Sequence, residues 1–179
     1  MAENPVKPMG KLLLSTNSKA NRLSKLTHFN EEGHVHMVDV SEKQVTSRSA
    51  TASCEVEMLP ETLVRIKENG FSKGNVIEVA RLAAIMATKR TSDLIPLCHP
   101  LMIDSVEVDF EFLNDTTIKT VSTVKATDRT GVEMEALTAV SAAGLVIYDM
   151  CKSVDRSMKI NNIQLEKKTG GNSGDFSRS

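Results

Sequence analysis

The chain has 179 residues, 40% of them hydrophobic, and a formal net charge of −1. It is long enough for one domain with a real core and too apolar for a disordered chain. The near-zero charge, the absence of tryptophan and the single tyrosine supply neither the basic footprint nor the stacking surface of a nucleic-acid binder. Cys54, Cys98 and Cys151 are odd in number and far apart, which fits a reducing compartment rather than a disulfide framework.

Residues 1–25 are basic and rich in Ser and Asn, with Glu3 their only acid. They read as a flexible leader, with an organelle-targeting segment as the alternative. The expected location is therefore cytoplasmic, or mitochondrial if the leader is a targeting segment. One folded domain is expected over 26–166 and a glycine-rich tail over 167–179. Leu26 to Val40 reads as an ordered loop. His34 and His36 lie two apart within it, but without a further Cys or His at a recognised spacing no metal site is assigned.

From Thr46 to Met58, Ala50, Ala52, Cys54, Val56 and Met58 alternate with polar residues, the pattern of a half-buried strand. Pro60 opens a helix that Gly70 stops. Phe71 to Asn75 is a loop. A second helix runs from Val76 to about Arg90. Thr91 to Ile103 holds Pro96 and Pro100 and is not regular helix. Val106, Val108, Phe110 and Phe112 alternate with acids in the first arm of a hairpin, which returns over Ile118 to Lys125 after an Asn114-Asp115 turn. Asp128 to Lys152 reads as one long helix, with Thr130 and Glu133 as a capping box. Its middle, Ala136 to Tyr148, carries no charge and is rich in small residues. It is apolar almost all round, so cover is expected on more than one side. The uncharged run is shorter than the ~20 residues of a bilayer span, and no membrane contact is expected. Ile160 to Leu165 is the last strand. This order predicts an α+β fold of the ferredoxin-like, split βαβ kind: a four-stranded antiparallel sheet with its helices on one face.

Several residues carry chemistry in this frame. Lys73 precedes Gly74 in a loop and reads as a solvated lysine or a phosphate contact. His99 sits in an apolar, proline-fixed loop as a structural histidine or a held acid, base or donor. Cys98 reads as a small buried hydrophobe. Asp149 and Lys152 read as a helix ion pair or an acid/base pair, and Glu133 and Glu135 as cap and solvated face or site acids. Gly170, Gly171 and Gly174 read as a loose tail or an anion-binding nest. Glu135 and Asp149 share a helix stripe but lie about 21 Å apart at the helical rise. They cannot both touch one small reacting group within one chain.

Four stretches, Met-Val-Asp-Val (37–40), Leu-Ile-Pro-Leu-Cys-His-Pro-Leu (94–101), Thr-Gly-Val-Glu-Met-Glu-Ala-Leu-Thr-Ala (130–139) and Tyr-Asp-Met-Cys-Lys (148–152), closely resemble the MoaC family of molybdenum-cofactor biosynthesis. The resemblance covers about Leu26 to Phe176. It implies a lyase that converts 3′,8-cyclo-7,8-dihydroguanosine 5′-triphosphate to cyclic pyranopterin monophosphate and diphosphate. It implies a homohexamer, a trimer of dimers, with sites between subunits. It makes Asp149 the catalytic acid/base and Lys73 and Lys152 active-site lysines. Leu97, Cys98, His99, Met134, Glu135 and Glu133 become substrate-binding residues, and Arg48 a basic residue at the pocket edge. No metal ligand and no redox cofactor are implied, with Mg²⁺ beside the triphosphate left open. Asn75 and Asn172 stand where the family often has Asp and Lys. The competing reading is a non-enzymatic, oligomeric ligand-binding module.

Overall fold

The computed structural model describes residues 32–179. The expected leader, 1–25, and residues 26–31 lie outside the described residues. The first strand, β1 (Thr46–Glu57), buries Ala50, Ala52, Cys54 and Val56 on one side, as their alternation predicts. Helix α1 (Pro60–Lys67) begins with proline, whose missing N–H costs nothing there. Its first turn is held by the buried Asp155, which accepts from the Leu59 amide at 2.8 Å and the Thr62 hydroxyl at 3.5 Å. The residue in left-handed conformation at its end is Asn69 (φ 53°), not Gly70; the Gly70 amide then closes onto the Arg65 carbonyl at 2.8 Å.

Helix α2 (Val76–Thr88) is capped by Asn75, whose side chain accepts from the Glu78 amide at 3.1 Å. A single helical turn, α3 (Thr91–Leu94), follows where no regular helix was expected, and Pro96 ends it. Strands β2 (Ile103–Phe112) and β3 (Thr117–Asp128) form the expected hairpin, with Phe112 opposite Ile118. Asn114 shapes its turn by accepting from the Thr116 amide at 2.7 Å.

Helix α4 (Glu133–Cys151) starts later than expected. The reason is long-range: β3 stays paired with β1 out to Asp128, opposite Thr46. The capping box does not form, because the cap position falls on Val132, which makes no side-chain cap bond. Glu133 instead faces Lys168 at 3.5 Å.

Strand β4 (Lys159–Thr169) runs beyond Leu165, and the glycine-rich tail returns as a short fifth strand, β5 (Phe176–Ser177), opposite Lys167 and Lys168. Among the described residues the sheet thus has five strands, not four, in the order β2-β3-β1-β4-β5, and every neighbouring pair is antiparallel. Gly170 and Gly171, both at positive φ, make the reversal possible.

Helix α4 lies across β1, β3 and β4 and packs against α2 on its flank, so it is covered by sheet and helix together. By length and composition alone it could cross a bilayer, yet here it is the core helix of the sheet. Gly144 sets its approach: a Cβ there would stand 3.0 Å from Ile160 Cγ2 and 3.2 Å from Cys54 Sγ. The opposite sheet face is polar. Lys125 pairs with Glu107 at 3.8 Å, and Lys119 with Glu166 at 3.9 Å. The acids of β2 therefore meet basic neighbours or solvent, as their alternation predicts.

Candidate active site

The two ends of α4 carry two separate groups of side chains. At the C-terminal end stands Asp149. Lys152, one helical turn on, reaches its Oδ1 at 2.6 Å. Lys73 reaches Oδ2 at 3.1 Å and the Asp149 carbonyl at 2.9 Å. The loop carrying Lys73 is fixed on both sides, by Phe71 buried beneath it and by the Asn75 cap of α2 after it. Gly74 adopts φ +98° in the turn between them. The two lysines, Lys152 foremost, hold the Asp149 carboxyl below its ordinary value, by hydrogen bonding first and by charge second. All three side chains are about half exposed. The group is an ionised carboxylate carrying two cations, with net positive charge toward solvent.

At the N-terminal end lies a cavity of about 370 Å³. Pro96 turns the chain so that the Cys98 amide bonds the Ile95 carbonyl at 3.0 Å. That turn brings Leu97, Cys98 and His99 against Met134 and Glu135 from the first turn of α4. Glu135 is only 3% exposed. Burial pushes its carboxyl up to about 7, its own backbone amide pulls it partly back, and nearby Glu133 adds a further push. Near neutral pH it is divided between acid and carboxylate, the condition suited to proton exchange. Burial, and then Glu135, push the Cys98 thiol up, so it is a neutral lining group and not a thiolate nucleophile. A neighbouring cavity of about 780 Å³ shares Lys43, Thr130, Gly131 and Glu133 with the first and holds Arg48. Arg48 is buried at the start of β1 and donates to the carbonyls of Asp128 (3.3 Å) and Arg129 (3.2 Å).

The residues singled out from the sequence thus fall into two groups. Lys73, Asp149 and Lys152 meet at one end of α4. Leu97, Cys98, His99, Met134, Glu135, Glu133 and Arg48 line adjoining cavities at the other. Within one chain the groups do not meet, because α4 is one unbroken helix between them. Sequence reasoning missed Asp39, Lys43 and Lys168. Asp39 and Lys43 line the larger cavity. The Asp39 carboxyl is lowered chiefly by the Ser41 backbone amide. Lys168 approaches through its pair with Glu133. Asp39 lay inside a quoted stretch; Lys43 and Lys168 had no signal short of the loop and strand that carry them in.

The model of the MoaC family matches residues 37–171. A cyclic pyranopterin monophosphate synthase of Parvibaculum lavamentivorans is 60% identical over 85% of this chain and 96% of its own length. Enzymes of the same name from Desulfitobacterium hafniense and Brevibacillus brevis are 56% and 54% identical, each over 86% of this chain and over 94% and 96% of their own lengths. The family match holds the whole lining of the smaller cavity, most of that of the larger one and the lysine-flanked aspartate, and on the strength of that match and these relatives the chain belongs to the MoaC family.

Proposed function

We propose that this protein is a cyclic pyranopterin monophosphate synthase, converting the cyclised dihydroguanosine triphosphate to cyclic pyranopterin monophosphate and diphosphate. The observation that carries the reading is the likeness, at up to 60% identity across nearly the whole of each relative, to enzymes of that name. The geometry supplies the roles. A cavity of about 780 Å³ lies within the ~300–1,000 Å³ range that takes small-molecule ligands. Arg48 and Lys43 provide cations for phosphate oxygens there. Glu135, with its carboxyl raised to about 7, takes and returns protons as the ring system rearranges. Asp149, ionised between Lys73 and Lys152, accepts the proton of the hydroxyl that attacks phosphorus, and the lysines neutralise the departing diphosphate.

Because the groups occupy opposite ends of α4, the working site is completed between copies of the chain. Lys73, Asp149 and Lys152 of one copy face Glu135, His99 and Arg48 of the next. Apolar side chains left open on the helical layer, Leu82 at 62% and Leu145 at 63% exposed, favour such an assembly, and the hexamer of three dimers is the form proposed. A cytoplasmic setting belongs to the same proposal, as does the ferredoxin-like reading of β1 to β4 with α1, α2 and α4, β5 being an added edge.

The test is incubation with the cyclised triphosphate. The expected result is diphosphate release together with a pterin that fluoresces after oxidation. Intact substrate after prolonged incubation with folded, assembled protein rules the activity out.

A further inference from the structure

The glycine-rich turn between β4 and β5 lies directly on Arg48. A Cβ at Gly171 would stand 1.7 Å from Arg48 Nη1 and 2.9 Å from Cζ, and one at Gly170 would stand 2.3 Å from the Ser47 carbonyl. The turn backbone is therefore in flat contact with the start of β1, at a distance only glycine allows. Both glycines also hold positive φ, +88° and +85°. The turn is closed from within: Asp175 accepts from the Gly170 amide at 3.1 Å, and the Gly174 amide donates to the Gly171 carbonyl at 3.3 Å. That carboxylate occupies the Gly170 amide, and the Gly174 amide is likewise used within the turn. Asn172 and Ser173, at the crest, line the larger cavity beside Arg48. Lys168, at the foot of the turn, bonds Ser173 and reaches Glu133.

We propose that the Gly170–Gly171 turn is a positioning element: it pins the Arg48 guanidinium so that its free N–H groups meet phosphate oxygens in the cavity. The guanidinium is fixed along one edge by its bonds from Nε to the Asp128 carbonyl and from Nη2 to the Arg129 carbonyl, which use two of its five N–H donors. The glycine backbone lies close to Nη1. An arginine held in this way loses little freedom when it binds an anion, which is how pre-organisation raises affinity. The identity of the anion as a di- or triphosphate rests on the function proposed above; the contact between the turn and Arg48 does not.

The test is a double-mutant cycle read by calorimetric binding of inorganic diphosphate, with Gly174→Ala as control. Gly174 also holds positive φ, +73°, but a Cβ there meets nothing within 4 Å, so Gly174→Ala introduces backbone strain without touching Arg48. Gly171→Ala should weaken diphosphate roughly 5- to 10-fold, the scale of one charge-assisted contact, and raise KM with kcat little changed. Gly174→Ala should change binding by less than about 2-fold while lowering the melting temperature comparably. On an Arg48→Ala background, Gly171→Ala should cause no further loss, since the group it acts through is gone. If Gly171→Ala alone fails to fold, the Arg48→Ala/Gly171→Ala pair should fold. Wild-type affinity in Gly171→Ala, losses that multiply, an equal loss in Gly174→Ala, or misfolding of the pair each overturns the proposal. If the cycle holds for diphosphate but the cyclised triphosphate is not converted, the positioning role stands and only the assigned reaction falls.

Discussion

Replacing Glu135 by Gln should stabilise the protein against unfolding, and only at higher pH. The carboxyl is buried, and its ionisation is pushed from 4.5 to about 7. The folded protein therefore holds this proton more tightly than the unfolded chain does. Stability relative to the neutral form is unaffected below about pH 4.5, falls as pH rises between about 4.5 and 7, and carries the whole penalty above 7. At 1.36 kcal/mol per pH unit the full penalty is about 3 kcal/mol. Glutamine has nearly the same shape and does not ionise. Urea unfolding of wild type and Glu135→Gln at pH 5 and pH 8 should show the variant gaining roughly 2–3 kcal/mol on the wild type between the two. Turnover should fall in the same variant, the trade expected of a group kept for chemistry at the expense of stability. A stability difference that is the same at both pH values would refute the reasoning, because the buried carboxyl would then not be the group that titrates.

Asp149→Asn should fold normally and lose roughly 10²–10⁴ in rate, the usual scale for an acid/base group; steady-state turnover on the cyclised triphosphate measures this, and near-native rates would remove Asp149 from the chemistry. Lys73→Ala should abolish turnover while changing the melting temperature little, since an ion pair this exposed contributes little to folding; thermal melting and activity on one preparation separate the two. Ile147→Ala, at a fully buried position in the core beneath α4, should cost about 2–5 kcal/mol in chemical unfolding yet leave activity per folded molecule near wild type. A Gly144→Ala variant should also destabilise, because its new methyl meets Ile160 and Cys54 at 3.0 and 3.2 Å; unchanged melting would mean that β4 yields there.

Period-two alternation located β1 and both arms of the hairpin, and proline with helical spacing located α1 and α2, because in these elements the local pattern and the tertiary environment agree. The quoted stretches likewise hold the lining of the smaller cavity apart from Lys43, but little of the larger one. What escaped depends on contacts distant in sequence. The start of α4 was misread because Thr130 looks like a cap locally, whereas pairing of Asp128 with Thr46 keeps that segment extended. The fifth strand was missed because Gly170 and Gly171 read as looseness, while their backbone is ordered by contact with Ser47 and Arg48. The membership of the two site groups was also illegible: nothing in the sequence says that Lys73 folds back onto Asp149 of its own chain. Lys73 meets Asp149 within one chain, so in the proposed assembly it is this whole group that would pair with the cavity at the other end of α4 in a second copy.

The central claim, one site assembled from opposite ends of α4 in two copies, is tested most directly by mixing inactive variants and letting subunits exchange. In a mixture of His99→Ala with Asp149→Asn, a mixed pair of chains contains one site with both groups intact. Random exchange should restore roughly a quarter of wild-type activity by the symmetry of paired interfaces. In a mixture of Lys73→Ala with Asp149→Asn, both lesions fall in the same group of a single chain, so no intact site forms and activity should stay absent. With exchange verified by mass, silence in the first mixture or recovery in the second contradicts the account.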